Sequence, residues 1–235
     1  MRSMWMRLAG ACVLAVGLAL AGCGSKEPEQ RAAFIQFLQT RVLDRPGVRV
    51  PKPSDEQKKP FGDYARHYAV IADFNESMNQ SVGQPMEAVI AKGSPRSIGD
   101  IVARREDIRT AREGVKQMRT ALDANLAKAD AAHAALRQPD DLKAVFDKAY
   151  EKTVTLPAAT FREVFPALDA VLDGAVRIGD YIEAHRAQIQ IAGNAITVSD
   201  AKVQAELNAM LQALNGHASA INAAQRKLRT VVSGS

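Results

Sequence analysis

Cysteine is nearly absent: the 235 residues hold two, Cys12 and Cys23, both close to the N-terminus. Beyond Cys23 the chain can form no disulfide, so its stability has to come from packing alone. Aromatic residues make up only 5%, and the single tryptophan, Trp5, sits among the first few residues. That scarcity argues against a sugar-stacking glycan binder or a base-stacking platform. Charge of one sign is not in excess either. A net charge of +5 is too mild to suggest a nucleic-acid partner. No nucleophile elbow, zinc spacing, phosphate loop or dinucleotide fingerprint occurs, which removes the usual signatures of catalysis. Proline is missing from residues 96–138 and from everything after 166, so long helices are confined to those two windows.

What is present starts at the N-terminus. Arg2 and Arg7 precede an uncharged run, residues 8–21, which ends in Leu20-Ala21-Gly22-Cys23. A basic n-region, an apolar h-region and small residues before a cut site make a secretory signal. With a cysteine at the cut it resembles the lipobox of bacterial lipoproteins, in which the cysteine sulfur receives a diacylglycerol and the new N-terminus is acylated. A transmembrane anchor is the simpler alternative. It fits less well, because a spanning helix needs about 20 apolar residues and Gly10, Gly17 and Gly22 interrupt this run. Removing residues 1–22 lowers the charge from +5 to +3 and leaves 213 of the 235 residues, enough for one sizeable core. The division expected is residues 1–22 as signal, 23–27 as lipidated cysteine and short tether, and 28–235 as a single helical domain.

Within that domain the apolar spacing is helical almost throughout. Phe34, Phe37, Leu38 and Val42 share one face of a first helix ending near Asp44. Ser54 with Gln57 reads as a capping box opening a second region. Tyr64, Tyr68, Ile71, Met78, Val82, Met86 and Val89 follow in a helix that Pro85 should kink or split. Ile101, Ile108, Val115, Leu122, Ala129 and Leu136 fall at strict seven-residue intervals. This seam predicts one helix of roughly 40 residues, about 60 Å long. A fourth helix should run from Asp140 to a break at Pro157. A fifth should contain Phe161 to Ile182, bent at Pro166. The period then changes to two: residues 187–198, around Gly193-Asn194, predict a hairpin pairing Ile191 with Ile196 and Ile189 with Val198. Ser199 is expected to cap a last helix carrying Val203, Leu207, Met210, Leu214, Ile221 and Leu228. The fold class is mainly α: an elongated antiparallel bundle of about five or six helices with one small hairpin before the last.

Several stretches carry a family resemblance. They are Gln30-Arg31 leading into Ala33-Phe34-Ile35 and Phe37-Leu38-Gln39; Gln57-Lys58-Lys59 before Phe61-Gly62; and Gly179-Asp180-Tyr181-Ile182. The longest runs from Ala129-Asp130-Ala131-Ala132-His133 through Leu136, Gln138 and Asp140-Asp141-Leu142-Lys143 to Val145-Phe146-Asp147. On these the chain resembles the YiaF-like lipoproteins of proteobacteria, a domain-of-unknown-function family. The resemblance spans nearly the whole domain and departs at the hairpin turn, Gly-Asn here where the family pattern is Asn-Gly. It implies an envelope lipoprotein and supplies no catalytic residue, metal ligand or cofactor. The covalent N-acyl diacylglycerol on Cys23 is the one non-protein group implied.

Few side chains suggest chemistry. His133 lies one helical turn from Asp130, yet no second histidine stands at ligand spacing, so a surface contact or a partly buried histidine is preferred over a metal or acid-base site. His67, His185 and His217 are isolated. Asp140 and Asp141 follow Pro139 in a helix first turn, where capping and the dipole account for them. Arg105, Arg109, Arg112, Lys116 and Arg119 form a stripe over roughly 21 Å of helix. It is a candidate contact for an anionic surface, although pairing with acids of neighbouring helices is the simpler account. The hairpin's Ile189, Ile191, Ile196 and Val198 must cover something, either the protein's own helices or a partner.

The function expected is that of a non-enzymatic helical scaffold or adaptor, lipid-anchored and facing the periplasm. It would bind another envelope protein, and no nucleic acid. The alternative is a protein that binds lipid or another amphiphile, using an inter-helix groove, the basic stripe and the apolar-face methionines Met78, Met86, Met118 and Met210. Gly24 after the cysteine, rather than Asp, resembles the sorting pattern of the outer membrane.

Overall fold

Two long helices running side by side in opposite directions form the frame of the molecule, and the other elements pack on them. The computed structural model describes residues 26–93, 95–193 and 195–234. Cys23 and the signal-like segment lie outside the described residues.

Seven helical elements and one hairpin follow in order. Helix α1 (27–43) is α-helical over Glu27–Leu38 and continues as a π turn, Gln39–Leu43. The short α2 (55–61) opens on the Ser54–Gln57 capping box and ends in a 3-10 turn. Helix α3 (64–91) passes through a π turn at Asn79–Gly83. Helix α4 (Ile98–Ala103) is separated by Arg104 from α5 (Arg105–Ala135). Helix α6 (140–184) contains a π turn at Glu151–Thr155. Strands β1 (Ile189–Ala192) and β2 (Ala195–Val198) precede α7 (Ala201–Ser233).

The mainly α class and the hairpin before the last helix match the spacing. Ile189 pairs with Val198 and Ile191 with Ile196, antiparallel. Gly193, at φ +60°, supplies the left-handed residue that a two-residue turn needs first. The seam is buried as its spacing implies: Ile101, Ile108, Val115, Leu122 and Ala129 are all inside, with Met118 and Leu126.

Four details differ from the sequence reading. Pro157 does not end a helix, since the backbone stays helical from Asp140 to Ala184. Pro85 likewise does not split α3. In both cases a π turn precedes the proline and relieves the clash with the carbonyl four residues back. The single helix of roughly 40 residues is two, because Arg104 (φ −105°, ψ 18°) leaves helical geometry and shortens α5 to 31 residues. Asp200, not Ser199, caps α7: its Oδ1 accepts from the N–H groups of Lys202 (2.8 Å) and Val203 (2.9 Å). Ser199 instead extends the hairpin, donating its N–H to the Gln188 carbonyl at 2.9 Å.

The core comes in two clusters. The larger joins α1, α2, α3, most of α5 and the first half of α6 around Phe34, Phe146 and Phe165. The scarce aromatics gather there, with Phe34 touching the rings of Phe37, Phe61, Tyr64, Tyr68 and Phe146 at centroid distances of 5.5–6.5 Å. Truncating such a ring to alanine costs about 3–5 kcal/mol. The smaller cluster holds Ile101, Ile108, Ile178, Ile182, Ile189, Val203 and Leu207, at the hairpin end. Lys152, within the π turn of α6, donates from Nζ to the carbonyls of Val42, Leu43 and Arg45, and so satisfies the open end of α1.

Candidate functional site

The basic stripe on α5 faces a matching row of acids on α6. Arg105 approaches Asp180 (3.9 Å) and Glu183 (3.6 Å), and Arg109 bonds Asp180. Arg112 meets Asp173 at 3.2 Å and Arg119 reaches Asp169 at 4.0 Å. Lys116 pairs within its own helix with Glu113 at 3.0 Å, and that hydrogen bond is the main reason the Glu113 carboxyl is held below the usual carboxylate range. Contact with an anionic surface would therefore compete with existing pairs, each worth up to about 1 kcal/mol when exposed.

The hairpin's apolar residues lie against the protein itself. Ile189 is 5% exposed, and Ile191, Ile196 and Val198 are half-buried on the smaller core cluster. Among the methionines, Met78 and Met118 are buried in the larger cluster, while Met86 and Met210 lie half-buried at the edges of the two clusters.

His133 turns away from Asp130 and clasps α6. Its Nε2 lies 2.8 Å from Asp147 Oδ1, and its ring stacks on Tyr150 at 4.1 Å. Asp130 instead accepts the Tyr150 hydroxyl at 2.7 Å. Burial pushes the Asp147 carboxyl up, but hydrogen bonds from Lys143 and His133 outweigh it and leave it below its ordinary value. His67 Nδ1 accepts from the Gln138 amide Nε2 at 3.0 Å, and burial lowers the affinity of the ring for protons. His185 stacks on Tyr181. Asp141 bonds the adjacent Leu142 N–H and pairs with Arg31 at 3.4 Å, while no side chain caps the start of α6. Among the described residues no cluster of His, Cys, Asp or Glu is arranged to hold a metal ion.

Sequence reasoning missed a concavity between the helices. A cleft of about 430 Å³ opens where the two core clusters meet. The end of α3 supplies Val89, Ile90 and Lys92; α4 and α5 supply Ile101, Arg104, Asp107, Ile108 and Ala111. From α6 come Leu168, Val171, Leu172 and Ala175, and from α7 Leu214, Asn215, Ile221, Asn222 and Gln225. Leu172 touches both clusters. Arg104 breaks the α4–α5 helix at the rim and donates from Nη2 to the carbonyls of Lys92 (2.8 Å) and Gly93 (3.0 Å). Lys92 in turn pairs with Asp107 at 3.2 Å. Ile90, 66% exposed, stands at the edge. The cleft and the basic stripe are separate features: their α5 residues sit roughly 100° apart around the helix. The sequence signals were the solvent-facing Ile90 and the Gly93-Ser94-Pro95 break, which mark an edge without revealing a void.

The chain matches the family described as protein of unknown function (DUF3053) over residues 11–229. It is 33% identical over 223 residues to the uncharacterised protein YiaF of Escherichia coli strain K12, covering 94% of this chain and 93% of that one. The protein of the same description from Shigella flexneri is equally similar. No solved structure matches the chain. The chain therefore belongs to the DUF3053 family, together with YiaF.

Proposed function

We propose that this YiaF-like protein is a cell-envelope lipoprotein, lipidated at Cys23. On this reading its helical body is a non-enzymatic scaffold or adaptor that binds another envelope protein close to the membrane. The observation that supports the reading is how soon the fold begins. Helix α1 starts at Glu27, and the Glu27 carboxylate already accepts the Tyr64 hydroxyl. Gly24, Ser25 and Lys26 alone intervene, a reach of about 14 Å. Two or more acyl chains anchor firmly where one is marginal, so such a lipid would hold a rigid body at the bilayer rather than trail it on a leash. Long helices with their charges engaged in inter-helix pairs suit a bracing or docking surface better than a reactive centre. Gly24 after the cysteine favours the outer membrane, with the body facing the periplasm.

Replacement of Cys23 with Ala, followed by fractionation of the bacterium, tests this. The expected result is transfer of the protein from the outer-membrane to the soluble periplasmic fraction, with unchanged helical circular dichroism. Retention of the variant on membranes would refute lipidation as the anchor, and recovery of the unaltered protein with inner-membrane vesicles would refute the sorting. Photocrosslinking in cells from exposed helix positions should capture a protein in the unaltered strain and lose it in the Cys23→Ala strain. Crosslinks to lipid alone would count against an adaptor.

A further inference from the structure

We propose that the cleft between the two core clusters binds a single-chain anionic amphiphile, one acyl chain ending in a carboxylate or phosphate. This inference is independent of the adaptor reading. A domain normally has one contiguous core, and here the apolar interior is interrupted, so the side chains around the gap lack contacts on one side. Ligand sites are clefts of this kind, mostly apolar with a few polar groups such as Asn215, Asn222 and Gln225 on the α7 side. At about 430 Å³ the space falls within the roughly 300–1,000 Å³ usual for small-molecule sites.

The lining divides by chemistry. Ile101, Ile108 and Leu172 supply an apolar floor, and the charged groups gather where α3 ends and α5 begins. There Lys92 and Arg104 stand against Asp107 alone, two cations to one acid. Among the described residues Arg104 commits only Nη2, to two carbonyls, which leaves the rest of its fork for an anionic head. An apolar channel with a cationic end matches an acyl chain with an anionic end. A peptide helix does not fit, since a helix about 10 Å across would fill this volume within about one turn. Nor is the occupant a chain carried by Cys23. Helix α3 puts roughly 40 Å between Tyr64, which holds Glu27, and the cleft. The tether and an acyl chain together reach about 29 Å, taking half of a 30 Å hydrocarbon core for the chain.

The experiment uses the full lipidated chain in bilayer nanodiscs with a photoactivatable sixteen-carbon fatty acid, and maps labelled peptides by mass spectrometry. Labels should fall on the segments 101–111, 168–175 and 214–225. Lauric acid or lysophosphatidate should displace them, whichever acts at lower concentration identifying the head group, whereas dodecyltrimethylammonium should not. Ala111→Trp, which fills the cleft, should abolish labelling. Ile90→Asp adds a negative charge at an exposed edge position, leaves packing intact, and should reduce labelling at least several-fold with an unchanged melting temperature. Labels confined to α1, labelling indifferent to Ile90→Asp, or equal competition by the cationic surfactant would each overturn the proposal.

Discussion

Asp147 shows how the residues of this protein use polar groups to join helices. It receives Lys143 along its own helix at 2.6 Å and His133 from α5 at 2.8 Å, beside the stacked Tyr150 ring. Burial raises its pKa, and the two donors more than reverse that, so the folded state holds the carboxyl below its ordinary value. A lowered carboxyl pKa stabilises the fold above the unfolded value of about 4 and ceases to do so as pH falls through the folded value. Since the side chain is 40% exposed, solvent screening limits the benefit to about 0.5–1 kcal/mol. Asp147→Asn should therefore be less stable than the unaltered protein at pH 7 by that amount, and the difference should begin to shrink below about pH 4 and vanish only once the pH has fallen through the lower folded value. Urea denaturation as a function of pH checks this, and a difference that does not shrink as the pH falls below about 4 would show that the site acts by packing. The His133–Asp130 spacing was visible in the sequence. The partners that matter, Asp147 and Tyr150, belong to another helix and become neighbours only through the turn at Pro139.

At the scale of elements, the π turns let helices run through prolines. The carbonyl four residues before Pro157 belongs to Thr153, at the centre of the Glu151–Thr155 π turn. Proline offers it no N–H, and Thr153 is fully buried. Asn75 of α3 supplies the missing donor, from Nδ2 to the Thr153 carbonyl at 3.3 Å, while also donating to the Ile71 carbonyl at 2.9 Å. Asn75→Ala should cost about 1–3 kcal/mol, as expected for an orphaned buried acceptor. In a Pro157→Ala background it should cost less, because alanine restores an N–H within reach. A double-mutant cycle by chemical denaturation measures this coupling, and additive costs would mean that Asn75 acts elsewhere. The same physics explains what could be read from the sequence. The hairpin register and the buried seam were legible because alternation and seven-residue spacing are local periodicities. The prolines misled because relief of their clash depends on a turn geometry that no residue type announces. The cleft was invisible because it depends on how five helices meet, with Ala111 and Ala175 too small to close the space they line.

Across the whole molecule, the inter-helix pairs fix direction. Arg105 meets Glu183, Arg112 meets Asp173, Asp123 meets Arg162 and His133 meets Asp147, so α5 and α6 run antiparallel along all of α5. That places the Glu27–Tyr64 and Arg31–Asp141 contacts at one end and the hairpin with α4 at the other. The 31 residues of α5 alone separate these ends by about 46 Å. A lipid on Cys23 would thus sit beside the aromatic cluster and leave the hairpin remote from the bilayer. The absence of tryptophan after Trp5 makes the arrangement measurable, because one introduced indole reports from one place. Ala32 on α1 and Thr197 on β2 are both exposed, so neither substitution disturbs the core. In vesicles carrying a dansyl-labelled lipid headgroup, lipidated Ala32→Trp should transfer its excitation efficiently and Thr197→Trp several-fold less. Strong transfer from Thr197→Trp would mean that the hairpin end also rests on the membrane, and the protein would then lie along the surface instead of projecting its cleft and hairpin into the space beyond.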